Sequence, residues 1–259
     1  MTEEPLTGGG VNEVVRVAST VRRPTGPHTP AVHALLGHLA GEGYAGAPRV
    51  HGVDDQGREI LDFMAGDVAH YPLPAHVYSD RGLTAAARLI RGLHDATATF
   101  TPPGEAVWMF PVREPVEVVC HGDLAPYNCV YRDGQPVAFI DFDTAHPGPR
   151  VWDLAYAAYR FVPLTDPDGP EGSAGTGEQA RRLRVFADAY GLTGHDRDIL
   201  VRTAITRLDA LVSWMHARAA EGDAAFASHI ADGHDALYRR DIDYLAHVSP
   251  VLNEVLLAA

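Results

Sequence analysis

The sequence predicts an α+β protein in which a small, strand-rich N-terminal part precedes a larger, mainly helical part. Three observations carry this expectation. The first quarter contains short runs rich in β-branched residues, VNEVVRV (11–17), TVRR (20–23) and EILDF (59–63), separated by Pro- and Gly-marked turns. The C-terminal third instead carries apolar residues at helical spacing. Over 259 residues, 46% are hydrophobic and 21% charged, the balance of a globular chain long enough for a sizeable core. Collagen-like, low-complexity and fully disordered chains are excluded.

The elements follow in order. The first two runs read as a hairpin turning at Ala18–Ser19. Thr29 and Pro30 open a helix whose Val32, Leu35, Leu36 and Leu39 form one stripe. Strands around 49–53 and 59–63 flank the turn DDQG. The chain changes character at Ala65–Gly66. A helix is expected over 84–99, then a strand into VEVVCHGD and a hairpin VYRDGQPVAFIDF turning at Asp133–Gly134. TDPDGPEGSAGTG (165–177) reads as a loop. Three helices are expected to finish the chain: one through Leu183, Phe186 and Tyr190, one through Leu200, Leu208 and Met215, and a third over 224–247. The division expected is 1–64 for the small part, 65–66 for a hinge and 67–259 for the large part.

Charge narrows the function. There are 34 acidic against 21 basic side chains, a net charge of −13. Duplex nucleic-acid binders normally present a basic face, so no nucleic-acid partner is expected, and a cationic small molecule fits better. All the basic residues are Arg; no Lys occurs, which excludes any lysine-dependent step. Cys120 and Cys129 make no disulfide framework. The start MTEEPLTGGG has no basic or apolar leader region, and no apolar run reaches the ~18 residues of a membrane span, so a cytoplasmic protein without a membrane partner is expected. The His28, His33 and His38 series does not share one helical face and no HExxH occurs, so no zinc site is expected. The sequence does not set an oligomeric state.

The strongest chemical signal is HGDLAPYN, residues 121–128, followed by FIDFD with Asp141. An Asp on a tight loop can accept a proton from an incoming hydroxyl. An Asn five residues on can offer its amide oxygen to a metal. A second Asp, from the far strand of a hairpin, completes a hard-oxygen site suited to Mg²⁺. Phosphoryl transfer needs little beyond positioned oxygens, a metal and one base.

HGDLAPYN, IDFD and the later WDLA together resemble the aminoglycoside-phosphotransferase and choline-kinase-like family, which shares the two-lobe protein-kinase-like architecture. The resemblance implies Asp123 as the catalytic Asp, Asn128 and Asp141 as metal ligands, and His121 and Asp153 as supports of the catalytic loop. Asp143 is implied near the metal or substrate, although strand-end solvation fits it as well. ILDFMAG (60–66) is similar to the segment joining the family's lobes, where the backbone around Asp62 to Met64 would bind adenine. Leu93–His94 is similar to a family helix end. Gly8, Gly9 and Gly10 resemble a nucleotide-covering hairpin, although a loose chain start fits them nearly as well.

Two departures stand out. The family's third-strand Lys is missing, and TVRR offers Arg22 or Arg23 in its place; alternation with Val21 favours Arg23 pointing inward. The alternative is that both cap a strand edge in solvent. No acid lies between Arg23 and Glu42, so the usual Glu partner on the first helix is absent and Val32 or His33 stands near its place. The expectation is an ATP- and Mg²⁺-dependent phosphotransferase acting on a small-molecule hydroxyl, with a cationic antibiotic such as an aminoglycoside as one acceptor. The alternative is a weak or inactive pseudokinase that sequesters a ligand, because similar stretches occur in peptide-antibiotic immunity proteins.

Overall fold

A computed structural model describes residues 3–6, 14–169 and 174–258. By internal packing the chain divides into two compact units, Met1–Asp153 and Leu154–Ala259.

The first unit opens with a five-stranded antiparallel sheet: β1 (Glu4–Leu6), β2 (Val14–Val17), β3 (Thr20–Pro24), β4 (Val50–Val53) and β5 (Arg58–Asp62), in the order β1-β2-β3-β5-β4. The β2–β3 turn lies where the sequence places it, with Ala18 at φ 56°. In β2, Val15 and Val17 point inward. In β3 and β5 the inward residues include Arg23, Glu59 and Leu61, so the sheet buries a charged pair among its apolar side chains. The helix α1 (Thr29–Gly41) buries Val32, Leu35, Leu36 and Leu39. The β4–β5 turn is fixed by Asp54, whose carboxylate accepts from the Gln56 and Arg58 amides.

The chain then leaves β5 through Phe63–Gly66. Gly66 sits at φ 146°, where a Cβ would fall 2.5 Å from the Tyr131 carbonyl. Only glycine fits this crossing. Beyond it, β6 (Asp67–Val68) joins the hairpin β8 (Cys129–Arg132) and β9 (Gln135–Phe139). The helix α2 (Asp80–Thr97) starts a turn before the expected residue 84, because Ser79 caps it by accepting from the Gly82 amide. A pair of short strands, β7 (Val118–Cys120) and β10 (His146–Gly148), frames the remaining loops. The hairpin strand stops at Phe139, so Asp141 is not on it as expected but in a left-handed conformation just past its end.

The helix α3 (Arg150–Phe161) carries the division between the units. In the second unit, α7 (His234–Leu257) packs against both α4 (Thr176–Tyr190) and α5 (Gly194–Ala220). The buried Leu183, Phe186, Leu200, Leu208, Leu245 and Leu252 form their core. The expected third helix over 224–247 is two helices. Asp223 caps a short α6 (Ala224–Ala231), the chain turns at Gly233 with φ 85°, and α7 continues to Leu257. Its extension past His247 follows from Val248, Leu252 and Leu256, which continue the buried stripe. Arg182 donates to the Phe161 and Val162 carbonyls, closing the C-terminal end of α3 with a cation. Among the described residues no helix is long and apolar enough to cross a membrane.

Candidate active site

β7 delivers the chain into His121–Asn128. Gly122 takes φ 84°, and any Cβ there would run into the Thr144 carbonyl, so the loop can pass only with glycine. His121 lies against the rings of Phe142 and Phe139, with its Nε2 3.0 Å from the Ile140 carbonyl. Asp153, in the first turn of α3, accepts from the His121 amide at 2.7 Å and the Gly122 amide at 3.0 Å. The His94 ring nitrogen lies 3.1 Å from the same carboxylate. Burial opposes a charge at Asp153, but the His94 hydrogen bond, the nearby His94 and His121 rings and the Gly122 amide outweigh it and hold its pKa down to about 2.

Asp123 is half-buried at the centre of the loop. Its Oδ1 accepts from the Tyr127 hydroxyl at 2.8 Å, and its Oδ2 accepts from the Asn128 amide nitrogen at 2.7 Å. Asn128, 7% exposed, also donates to the Asp123 main-chain carbonyl. With the nitrogen so used, the amide oxygen is the side chain's remaining acceptor. The Asn128 carbonyl accepts from the Ile140 amide at 2.9 Å, which holds the segment carrying Asp141 beside the loop. Asp141 is a non-glycine residue at φ 66°, a conformation that costs about 1 kcal/mol. Such strain is concentrated at functional positions.

Arg23 reaches this group from β3. Its Nη1 donates to Asp141 at 2.7 Å, its Nη2 donates to Asp143, and its Nε donates to Glu59 at 2.5 Å. Burial disfavours the guanidinium, but Asp143, Asp141 and Glu59 more than compensate and raise its pKa. The dense surroundings push the Asp141 carboxyl up against the pull of Arg23, and Asp143 and Asp123 add to the rise. Water tempers that shift, since 48% of the Asp141 side-chain surface is open. Asp143 goes the other way: burial raises it, and His28 and Arg23 lower it further than that. Asp143 stands in a 3-10 turn, not at a strand end. Arg22 points elsewhere, donating to the Thr20 hydroxyl and lying 3.8 Å from Asp54.

The partner missing from α1 is supplied by β5. Glu59 stands directly across from Arg23 in the strand register, is 2% exposed, and binds Arg23 with one oxygen and His33 of α1 with the other at 2.7 Å. The sequence reading missed Glu59 because it sought an acid along the helix. The signal was the antiparallel pairing itself, which sets an inward Arg against an inward Glu. Tyr127 was also missed, although it lies inside the motif.

Near the expected adenine segment, the Asp62 and Phe63 amides donate to the Arg49 and Ser19 carbonyls. The Asp62 carboxylate lies 2.7 Å from His51 Nε2. No backbone partner engages the Met64 amide among the described residues. Gly8, Gly9 and Gly10 lie outside the described residues. No three His, Cys, Asp or Glu side chains among the described residues gather as a preformed metal cage. The donor set of Asn128 and Asp141 fits Mg²⁺ nevertheless, which takes one or two protein oxygens and completes its shell with phosphates and water.

The family model for the phosphotransferase enzyme family matches residues 105–198. The chain is 37% identical over 209 residues to the trifolitoxin immunity protein of Rhizobium leguminosarum bv. trifolii, covering 78% of each. In structure it is similar to a choline/ethanolamine kinase family protein from Mesorhizobium loti, with a TM-score of 0.61 at 17% identity over 95% of this chain and 93% of that one. It is also similar to an amicoumacin kinase in complex with AMP-PNP and Ca²⁺, with a TM-score of 0.63 at 12% identity over 89% and 88%. The fold is thus the protein-kinase-like one, with a small antiparallel sheet region and a mainly helical larger part. The chain belongs to the aminoglycoside phosphotransferase and choline kinase-like family.

Proposed function

We propose that this protein is an ATP-dependent phosphotransferase that moves the γ-phosphate to a hydroxyl of a small molecule. The observation that carries this reading is one cluster: Asp123 hydrogen-bonded to Asn128, and Asp141 beside them bound by Arg23. Asp123 orients the acceptor hydroxyl and takes its proton as the oxygen–phosphorus bond forms. Arg23 offers a planar fork to the phosphates where relatives are expected to use a lysine. Glu59 and His33 hold that fork in place from behind. The Met64 amide is the donor offered to the adenine. Mg²⁺, held by Asn128 and Asp141, would neutralise the charge on the phosphates. In this reading residues 1–64 form the nucleotide-binding lobe, 65–66 the hinge, and 67–259 the catalytic and acceptor-binding lobe. The net charge of −13 and the likeness to an amicoumacin kinase favour a cationic antibiotic as acceptor. The buried thiols of Cys120 and Cys129 suit a reducing cytoplasm.

A second reading, a ligand-sequestering immunity protein without turnover, is favoured by the 37% identical immunity protein and by the three carboxylates that already occupy Arg23. Calorimetry of ATP binding separates the two. For the phosphotransferase, binding depends on Mg²⁺ and is lost in Asp141→Ala. In Asp123→Asn it persists while turnover falls by about 10²- to 10⁴-fold. Failure to bind ATP or GTP under any condition sinks the phosphotransferase and leaves the sequestering protein.

A further inference from the structure

Both oxygens of the Asp123 carboxylate are already in use, and by two different kinds of donor. Asn128 is buried, and its second bond, to the Asp123 main-chain carbonyl, ties it into the loop. Tyr127 is half-buried, and one of its contacts is an O–H aimed at a carboxylate oxygen from 2.8 Å. That is the contact an acceptor hydroxyl has to make before it can surrender its proton. The backbone beneath Tyr127 is fixed, since the 3-10 turn Pro126–Asn128 closes with the Asn128 amide on the Ala125 carbonyl. Rotation about the Tyr127 side chain, a motion of partly exposed residues, moves the phenol off Asp123 without moving this turn.

We infer that the Tyr127 hydroxyl is an internal stand-in for the acceptor. It occupies the proton-accepting oxygen of Asp123, keeps water from it, and yields the place when an acceptor hydroxyl arrives. This rests on the reading of Asp123 as the base of a phosphotransferase. The competing reaction it suppresses is transfer to water. There the water oxygen bonds to the γ-phosphorus, the bond from that phosphorus to the β-phosphate oxygen breaks, and the water proton passes to Asp123. ADP and inorganic phosphate are released.

The test uses Tyr127→Phe, which keeps the ring and removes the O–H, with Tyr127→Ala as a second variant lacking the ring as well. Mg-ATP binding by calorimetry and phosphate release without acceptor are measured on the full chain. The expected result is an ATP affinity within about twofold of the wild type and phosphate release raised about tenfold or more in Tyr127→Phe, the scale of one hydrogen bond to a charged carboxylate. Tyr127→Ala is expected to release at least as much. Unchanged release in both variants, with Mg-ATP bound, overturns the inference. A fall in release at unchanged affinity also overturns it, because the phenol would then belong to the proton path. Absence of Mg-ATP binding in the wild type overturns the phosphotransferase reading itself, and is recognised by the calorimetry before any variant is compared.

Discussion

Asp153 shows how one buried charge sets a loop. Two amides and a ring nitrogen converge on a carboxylate that is 1% exposed, so the His121–Gly122 backbone has a single resting place. Its pKa is about 2 in the folded protein against 3.8 unperturbed. A depressed carboxylate stabilises the fold above the unperturbed value, and that contribution disappears as pH falls through about 2. At pH 7 the difference is worth about 2 kcal/mol. Asp153→Asn is accordingly expected to lower the urea midpoint at pH 7 and to flatten the loss of stability between about pH 4 and pH 2. Parallel pH profiles for the two proteins would contradict this account. That Asp153 sits beside the His121–Gly122 backbone was legible in the sequence, because HGD and WDLA carry that placement by resemblance. Its bond to His94 was not, since a contact across 59 positions leaves no local pattern.

At the scale of the element, the pairing of β3 with β5 makes a buried ion pair that neither strand announces alone. Arg23 and Glu59 face each other, and His33 of α1 closes the group. Removing the Glu59 charge leaves the buried Arg23 guanidinium with two carboxylates where it had three. Glu59→Gln keeps the shape and removes the charge, so it is expected to lower stability by about 1–3 kcal/mol and to weaken Mg-ATP binding about tenfold, because Arg23 loses its rear support. Melting temperature and calorimetry on one preparation check both halves; an unchanged ATP affinity would reduce Glu59 to a structural residue. Strands β2 to β5 and α1 were readable from alternation and helical spacing, whereas β1, β6 and β10, of two or three residues each, are too short to show a period. The start of α2 and the break before α7 were not. Ser79 and Asp223 act through caps, and Gly233 acts through a left-handed turn, signals of single residues that a long apolar stripe overrides. The second strand of the hairpin, expected to run through Asp141, stops at Phe139 for the same reason, since a lone left-handed Asp has no periodicity.

For the whole molecule, the proposed chemistry divides between the units by residue number. Arg23, Asp62, Met64, Asp123, Asn128 and Asp141 all lie within Met1–Asp153. Four acidic residues of α4 and α5, Asp188, Asp196, Asp198 and Asp209, lie within Leu154–Ala259. Of these, Asp188 is held by Arg184 and Arg197; burial raises its pKa, and those two arginines together lower it further than that. An acceptor cation would compete with two arginines there, so Asp188 is the poorest candidate of the four. Hydrogen exchange resolves the division directly. A bound ligand slows local opening where it makes its contacts. Mg-ATP is therefore expected to slow exchange in peptides covering residues 19–24, 58–66 and 121–144. Asp141→Ala should abolish that slowing, and Glu59→Gln should weaken it. A response confined to residues 154–259 would take the nucleotide away from Asp123, Asn128 and Asp141. The same loop would then be the relic of a kinase inside a protein that works by holding its ligand.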